Sequence, residues 1–388
     1  RFRPYPQDCF RRGICQGNLR IRINDMEHLL YGRLKPMEPE TGWLPEERLK
    51  AMEGPLLSWY EGHARILPWR EQPEPYRVWV SEIMLQQTRV EAVKPYFHRF
   101  MSALPQISDL AQVEEDRLLK LWEGLGYYNR ARNLKKAAQI LVNEYQGQLP
   151  KSCEALLKLP GIGSYTAGAI ASIAYDIPVP AVDGNVLRVI SRVLGSREDI
   201  SKQSVKRKME RLLSKVIPSN DASRYNQGLI EIGAVVCIPN GAPLCGDCPL
   251  AFLCAARREG LIGEIPVKAP KKERKKEKRT VFLIWNHGRI ALRKRPDKGL
   301  LAGLYEFPNV EGWIEENDVG RCLEGKPSKI VALPQSKHIF SHVEWHMKAY
   351  EIFMPSYAGK AYLWADPEEL KEKYSLPGAF KAYTELVR

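Results

Sequence analysis

Two carboxylates and four cysteines are the groups in this sequence best placed to do chemistry. Glu82 lies in "VWVSEIMLQQT", flanked by Val80, Ile83, Met84 and Leu85, and Asp183 lies in "PAVDGNVLRVISRVLG", after a proline-rich turn and before an apolar helix. Each has a plainer role: Glu82 as a first-turn glutamate behind a Ser81 cap, Asp183 as a helix N-cap. Together they suggest a division of labour. An aspartate at a helix N-terminus is held ionised by backbone donors and the dipole, whereas a glutamate in an apolar pocket stays protonated near neutral pH. One carboxyl that gives a proton and one that remains negative can break a glycosidic bond through an oxocarbenium-like state. The sequence leaves open whether the two meet in space.

Of the eight cysteines, Cys9, Cys15, Cys153 and Cys322 stand apart, while Cys237, Cys245, Cys248 and Cys254 follow a C-x7-C-x2-C-x5-C spacing. This distribution points to one metal site in a reducing compartment, not a disulfide framework. The contest is between tetrahedral zinc and an iron–sulfur cube. Structural zinc sites usually pair two C-x2-C knuckles, and here only Cys245 and Cys248 form one, so a single compact loop with unequal gaps suits a cubane better.

The elements that must position these groups can be read from periodicity. Residues 1–46 are rich in Arg, Pro and Gly without sustained pattern, an extension of unknown structure. Residues 47–236 carry helical patterns, for example "VWVSEIMLQQTRVEAVKPYFHRFM" and "EDRLLKLWEGL", between Pro and Gly breaks. Within them "LPGIGSYTAGAI" puts two glycines in a tight apolar turn before a run of small residues. A glycine turn feeding a helix is either a close-packed helix entry or a seat for phosphate. The cysteine loop occupies 237–254, and a linker is expected over 255–279, ending in "KAPKKERKKEKR" with eight basic and two acidic residues. The period then changes. "TVFLIWNHGRIALRKRP" reads as strand, turn, strand, and "DPEELKEKYSLPGAFKAYTELV" closes an α+β domain over 280–388 in helical pattern.

The 388 residues suffice for two or three cored domains. A net charge of +13 and a pI near 9.3 favour a polyanionic partner, nucleic acid first. No apolar stretch approaches the length of a membrane span, and no apolar core follows the basic N-terminal residues, so neither a membrane segment nor a secretory signal is expected.

Several long motifs in one order give a more specific reading. "ILPWR", "VWVSEIMLQQTRV", "LWEGLGYYNRARNL", "LPGIGSYTAGAI", "VPAVDGNVLRV", "NQGLIEIGAVVC" and the four cysteines resemble the MutY family of adenine DNA glycosylases, in the helix-hairpin-helix superfamily with endonuclease III. The resemblance runs from about residue 47 to the end. It implies a multidomain fold: a mostly α-helical helix-hairpin-helix glycosylase domain with a [4Fe-4S] loop, and a C-terminal α+β Nudix-like domain. The first cysteine gap is one residue longer than the commonest family spacing, which bears on loop shape and not on the ligand set.

The same resemblance implies roles. Glu82 would protonate adenine at N7, Asp183 would stabilise the sugar cation or bond to it briefly, and Tyr165 and Asn185 would assist. Trp69 and Arg70 match positions near the adenine pocket, and Gln87, Thr88, Leu125 and Tyr127 match positions that wedge beside and contact the opposite base. Gly161 and Gly163 would let backbone amides of the hairpin reach phosphate. In similar bifunctional glycosylases a lysine stands where Tyr165 stands and forms a Schiff base; a phenol cannot. A monofunctional enzyme that leaves an abasic site is therefore expected, acting on adenine opposite 8-oxoguanine and also opposite guanine. The stretch "ALRKRPDKGLLAGLYEFPNVE" resembles a Nudix fold, but no glutamate-rich REXXEE helix follows to hold Mg²⁺, so recognition is expected, with Ser341 of "FSH" inspecting 8-oxoguanine. A monomer acting on double-stranded DNA in a bacterial cytoplasm, at the nucleoid, is expected. The rivals are an endonuclease III-like glycosylase and lyase for oxidised pyrimidines, and a non-catalytic iron–sulfur DNA-binding module.

Overall fold

Proline at the first helical position starts α1 (Pro45–Lys50), α3 (Pro68–Glu71) and α4 (Pro75–Leu85), where its missing N–H leaves no bond unmade. The computed structural model describes residues 43–270, 273–323, 325–357 and 361–387. The expected N-terminal extension lies outside the described residues as far as residue 42. Between and after those helices come α2 (Glu53–His63), α5 (Val90–Ala103), α6 (Ile107–Gln112), α7 (Glu115–Leu121) and α8 (Asn129–Glu144). Next are α9 (Cys153–Leu156) and α10 (Ser164–Ala169), which runs on as a π-helical turn, Ile170–Ala174. The remaining helices of this part are α11 (Gly184–Leu194), α12 (Gln203–Ser214), α13 (Ala222–Val235) and α14 (Ala255–Arg258).

The stretch expected as one helical run, 78–101, is divided: α4 stops at Leu85 and α5 begins at Val90. Ser81 and Glu82 fall well inside α4 and not in its first turn, so Ser81 is no cap; its hydroxyl donates to Val78 O at 2.8 Å. Close packing of the small-residue helix is observed at Gly168, where a Cβ would stand 2.3 Å from Pro180 O. Around these elements Trp79, Phe97, Phe100, Leu118, Trp122 and Leu134 build one apolar core, with α5, α7 and α8 each contributing a buried face.

From Lys275 the chain is a mixed sheet with short helices. The strands are β1 (Lys275–Asn286), β2 (Arg289–Lys294), β3 (Tyr305–Glu306), β4 (Asn309–Glu311), β5 (Lys329–Ile339), β6 (Val343–Phe353) and β7 (Leu363–Ala365). The order is β3-β2-β1-β6-β5, with β4 added to β1 and β7 to β2. β1 runs parallel to β6, from Lys275 opposite Val343 to Trp285 opposite Phe353. The expected hairpin is present, its turn made by His287 and Gly288, both with positive φ. Apolar residues alternate onto two faces, Val281 and Leu283 in one core and Phe282 and Ile284 in the other. Helices α15 (Glu316–Val319), α16 (Pro367–Glu372) and α17 (Lys381–Thr384) complete this part.

The linker expected over 255–279 is shorter than the charge run suggests. Residues 255–258 are α14 and residues 275–279 already belong to β1. The charged side chains there find partners: Glu277 accepts from Trp345 Nε1 at 3.1 Å, the Arg279 guanidinium lies 4.2 Å from the Trp345 ring centre, and Lys278 Nζ lies 4.5 Å from that of Trp313. The sheet is fastened to the helices by Ser375 Oγ donating to Leu119 O, Lys120 Nζ to Tyr374 O, and Leu376 N to Glu123 at 2.7 Å. Leu304 is buried in the helical core itself. Among the described residues no helix is long and apolar enough to cross a membrane.

Candidate active site, second cleft and cysteine centre

Glu82 and Asp183 line one cavity of about 650 Å³, together with Tyr165, Asn185, Trp69 and Arg70. α4 delivers Glu82 from one side, with Val78 and Leu85 beside it, and the N-terminus of α11 delivers Asp183 from the other. Burial pushes the Glu82 carboxyl up to about 7, and the nearby Asp183 charge adds to the rise. Tyr165 Oη donates to Glu82 Oε2 at 2.7 Å and opposes it, as does the Arg70 charge. Tyr165, half-buried beside two carboxyls, is held well above the usual phenol range and stays a neutral donor.

Asp183 is the N-cap of α11: its Oδ1 accepts from the backbone N–H of Asn185 and of Val186, each at 2.8 Å, and its Oδ2 from Asn185 Nδ2 at 2.8 Å. These donors were expected to keep it simply ionised. Burial nonetheless outweighs them and moves its carboxyl up from the ordinary value, although both neighbours and Arg188 pull it down. Arg188 continues the network, with Nη2 donating to Asn185 Oδ1 at 2.9 Å and to Gly233 O at 2.6 Å, and Nε to Cys237 O at 2.7 Å.

Sequence reasoning missed Glu231. It is fully buried in α13 within "NQGLIEIGAVVC" and accepts from Arg65 Nε at 2.5 Å and Arg70 Nη2 at 2.8 Å. Its signal was a charged residue on the buried side of an apolar helix, legible only with its two arginines in view. Arg70 therefore lines the cavity from a fixed seat.

A family model described as HhH-GPD superfamily base excision DNA repair protein matches residues 80–215, and a NUDIX domain model matches 280–386. The adenine DNA glycosylase of Buchnera aphidicola from Schizaphis graminum is 36% identical over 299 residues, which is 75% of this chain and 84% of the relative. The chain belongs to the adenine DNA glycosylase family. The human adenine DNA glycosylase is 37% identical over 364 residues, 77% of this chain and 66% of that one. Among solved structures, a thermostable thymine-DNA glycosylase superposes with a TM-score of 0.50 at 27% identity, covering 55% of this chain and 98% of that one.

In this adenine DNA glycosylase family member the residues expected to contact an opposite base are divided between two places. Gln87 and Thr88 line the first cavity. Leu125, Tyr127 and Ser341 line a second cleft of about 640 Å³ between the 124–133 segment and the sheet domain. Tyr127 is half exposed, while its neighbour Tyr128, which also lines the cleft, is buried. The hairpin glycines are both exposed and flank Ile162, which is buried in the core. Gly161 needs its glycine: φ is +80° and a Cβ would stand 2.8 Å from Asn133 Cβ. Gly163 caps α10 with open space around it.

Cys237, Cys245, Cys248 and Cys254 surround one small pocket with Arg192 and Arg257. Burial pushes the Cys248 thiol up to about 11 and raises Cys254 as well. Arg192 Nη1 donates to Cys237 Sγ at 3.2 Å. Four thiols around a half-buried pocket whose rim is cationic fit a thiolate-ligated group, since bound metal supplies the charge that burial alone denies them. The longer first gap is closed by Leu244 N donating to Val236 O at 3.0 Å, so the additional residue does not part Cys237 from Cys245. Among the described residues, no three His, Cys, Asp or Glu side chains converge on a site for a single metal ion.

Proposed function

We propose that this chain hydrolyses the N-glycosidic bond of adenine opposite 8-oxoguanine, and opposite guanine, in duplex DNA and leaves an abasic site without cutting the strand. The observation that carries the reading is a buried Glu82, hydrogen-bonded to Tyr165, facing the same cavity as an N-capping Asp183. With its carboxyl raised to about 7, Glu82 holds a proton near neutral pH and gives it to adenine N7. The C1′–N9 bond then breaks with its electron pair going to N9, so the purine leaves neutral. Asp183, as a carboxylate held by the donors at the start of α11, steadies the oxocarbenium sugar. Water adds at C1′ and returns a proton to a carboxylate.

The base must leave the stack to reach a cavity beside α4, and the space it leaves must be filled. Gln87 and Thr88 at the cavity and Leu125, Tyr127 and Ser341 at the second cleft are the groups assigned to the gap and to the opposite base, Trp69 and Arg70 to the extruded adenine, and Gly161 and Gly163 to phosphate. Cys237, Cys245, Cys248 and Cys254 are assigned as ligands of a [4Fe-4S] cluster, which would tie the loop after α13 to α11. The charge of +13 supplies attraction to the DNA backbone.

The test uses duplexes end-labelled on the adenine strand, with 8-oxoguanine or guanine opposite. Alkali treatment after incubation should break the strand at the adenine, and no break without alkali should occur. Borohydride should trap no enzyme–DNA adduct, because residue 165 is a phenol. Intact DNA after alkali would refute the reading; a trapped adduct would instead favour the lyase.

A further inference from the structure

One side chain holds the two loop tips to the helix that carries the acid. α4 ends at Leu85, whose carbonyl accepts from Thr88 N at 3.2 Å, while the carbonyls of Ile83 and Met84 lack helical partners and no glycine follows to fold the chain back over them. Arg130 takes them instead. Its Nη1 donates to Ile83 O at 2.7 Å, Met84 O at 2.9 Å and Gln86 O at 2.8 Å. Its Nη2 donates to Leu125 O at 2.9 Å and Gly126 O at 3.1 Å. The guanidinium thus joins the segment after Glu82 to the loop before α8, with its carbon 5.3 Å from the Trp122 ring centre and 5.7 Å from that of Tyr127.

Immediately beyond each set of carbonyls stands a non-glycine residue in the left-handed region, Gln87 with φ 57° and Tyr127 with φ 47°. Such conformations persist only where the surroundings over-determine them. Five carbonyls on one planar, half-buried cation do so, and Trp122 Nε1 adds a bond to Gly126 O at 3.1 Å. A lysine ammonium is a point donor and cannot span both sets.

We propose that Arg130 is a positioning residue that presents Gln87 and Tyr127 to the DNA in fixed relation to Glu82, so that opening of the base stack and protonation of the base are geometrically tied. The inference rests on the reading of the cavity as an adenine glycosylase site. It assigns Arg130 no contact with the base.

The test uses the full chain and its R130K and R130M variants. The duplex carries the adenine–8-oxoguanine mispair with 2-aminopurine stacked beside the adenine. On wild type, binding should raise the 2-aminopurine fluorescence as the stack opens. In both variants the rise should be lost and single-turnover adenine release should fall by at least about tenfold. Far-UV circular dichroism and the pH at which release falls off should be unaltered, since Glu82 keeps its surroundings. A full fluorescence rise in either variant, a shifted pH profile, or unfolding of R130K would overturn the proposal, the last because Arg130 would then merely hold the domain together. If wild type opens the stack yet releases no adenine, the glycosylase reading fails while the fluorescence comparison still decides the role of Arg130.

Discussion

Tyr165 Oη donates a 2.7 Å hydrogen bond to Glu82 Oε2 across 83 residues of sequence, in a cavity where burial alone would drive the carboxyl higher still. The bond favours the ionised form, so removing it has a defined sign. In Tyr165→Phe the alkaline limb of single-turnover adenine release moves above its wild-type position near pH 7. A limb displaced to lower pH would show that the phenol does not act on this carboxyl.

Glu82→Gln keeps the shape and an acceptor for Tyr165 but has no proton to give. Adenine release should fall by roughly two to four powers of ten while affinity for the mispaired duplex is retained, the usual scale for loss of a general acid. A titration of rate and of binding on the same preparation separates the two.

The same carboxyl marks stability. Its folded pKa lies above its unfolded value, so the wild-type fold loses stability as pH rises from about 4.5 to about 7. Glu82→Gln removes that slope. Relative to wild type it should gain as pH rises through this window, by at most about 3 kcal/mol. Denaturant unfolding at pH 5 and pH 8 checks the direction; equal differences at both would refute it.

Burial pushes Glu231 up, yet the Arg65 and Arg70 guanidiniums outweigh it and hold the carboxyl below its ordinary range. Glu231→Gln leaves both arginines with a neutral partner, and breaking a buried pair in this way costs about 3–5 kcal/mol. Because the folded value is depressed, this contribution is present above pH 4.5 and fades as the pH falls through the folded value. The destabilisation seen in denaturant melts should therefore shrink in acid.

The hairpin glycines should respond differently to alanine. At Gly161 the new Cβ meets Asn133 and the left-handed backbone, so Gly161→Ala should lower stability by about 1–3 kcal/mol and weaken DNA binding. Gly163→Ala, with φ −96° and nothing within 4 Å, should leave the thermal midpoint nearly unmoved. Equal effects at both positions would place the hairpin constraint elsewhere.

If the four cysteines hold a cluster, the protein as isolated has the visible absorption of thiolate-ligated iron, which zinc lacks. Cys248→Ser should diminish that absorption and the thermal stability together, whereas Glu82→Gln should leave the absorption intact. A colourless protein containing zinc would overturn the assignment.

The sequence by itself determined which residue types could act and where each sits locally. A carboxylate between apolar neighbours, an aspartate after a proline turn, four cysteines at close spacing and a glycine pair before a small-residue helix are all local signals, because helix caps, turns and knuckles are made by residues a few positions apart. The change of period near residue 280 likewise announced the sheet. Tertiary structure alone decided that Glu82 and Asp183 share a cavity and that Glu231 seats Arg70. It also set the break after Leu85 with Arg130 across it, and it drew Lys275–Arg279 into β1 beside Trp345. Each of these joins side chains or carbonyls from distant parts of the chain, and what a buried charge does is set by the partners and solvent that folding gives it, which no local pattern records.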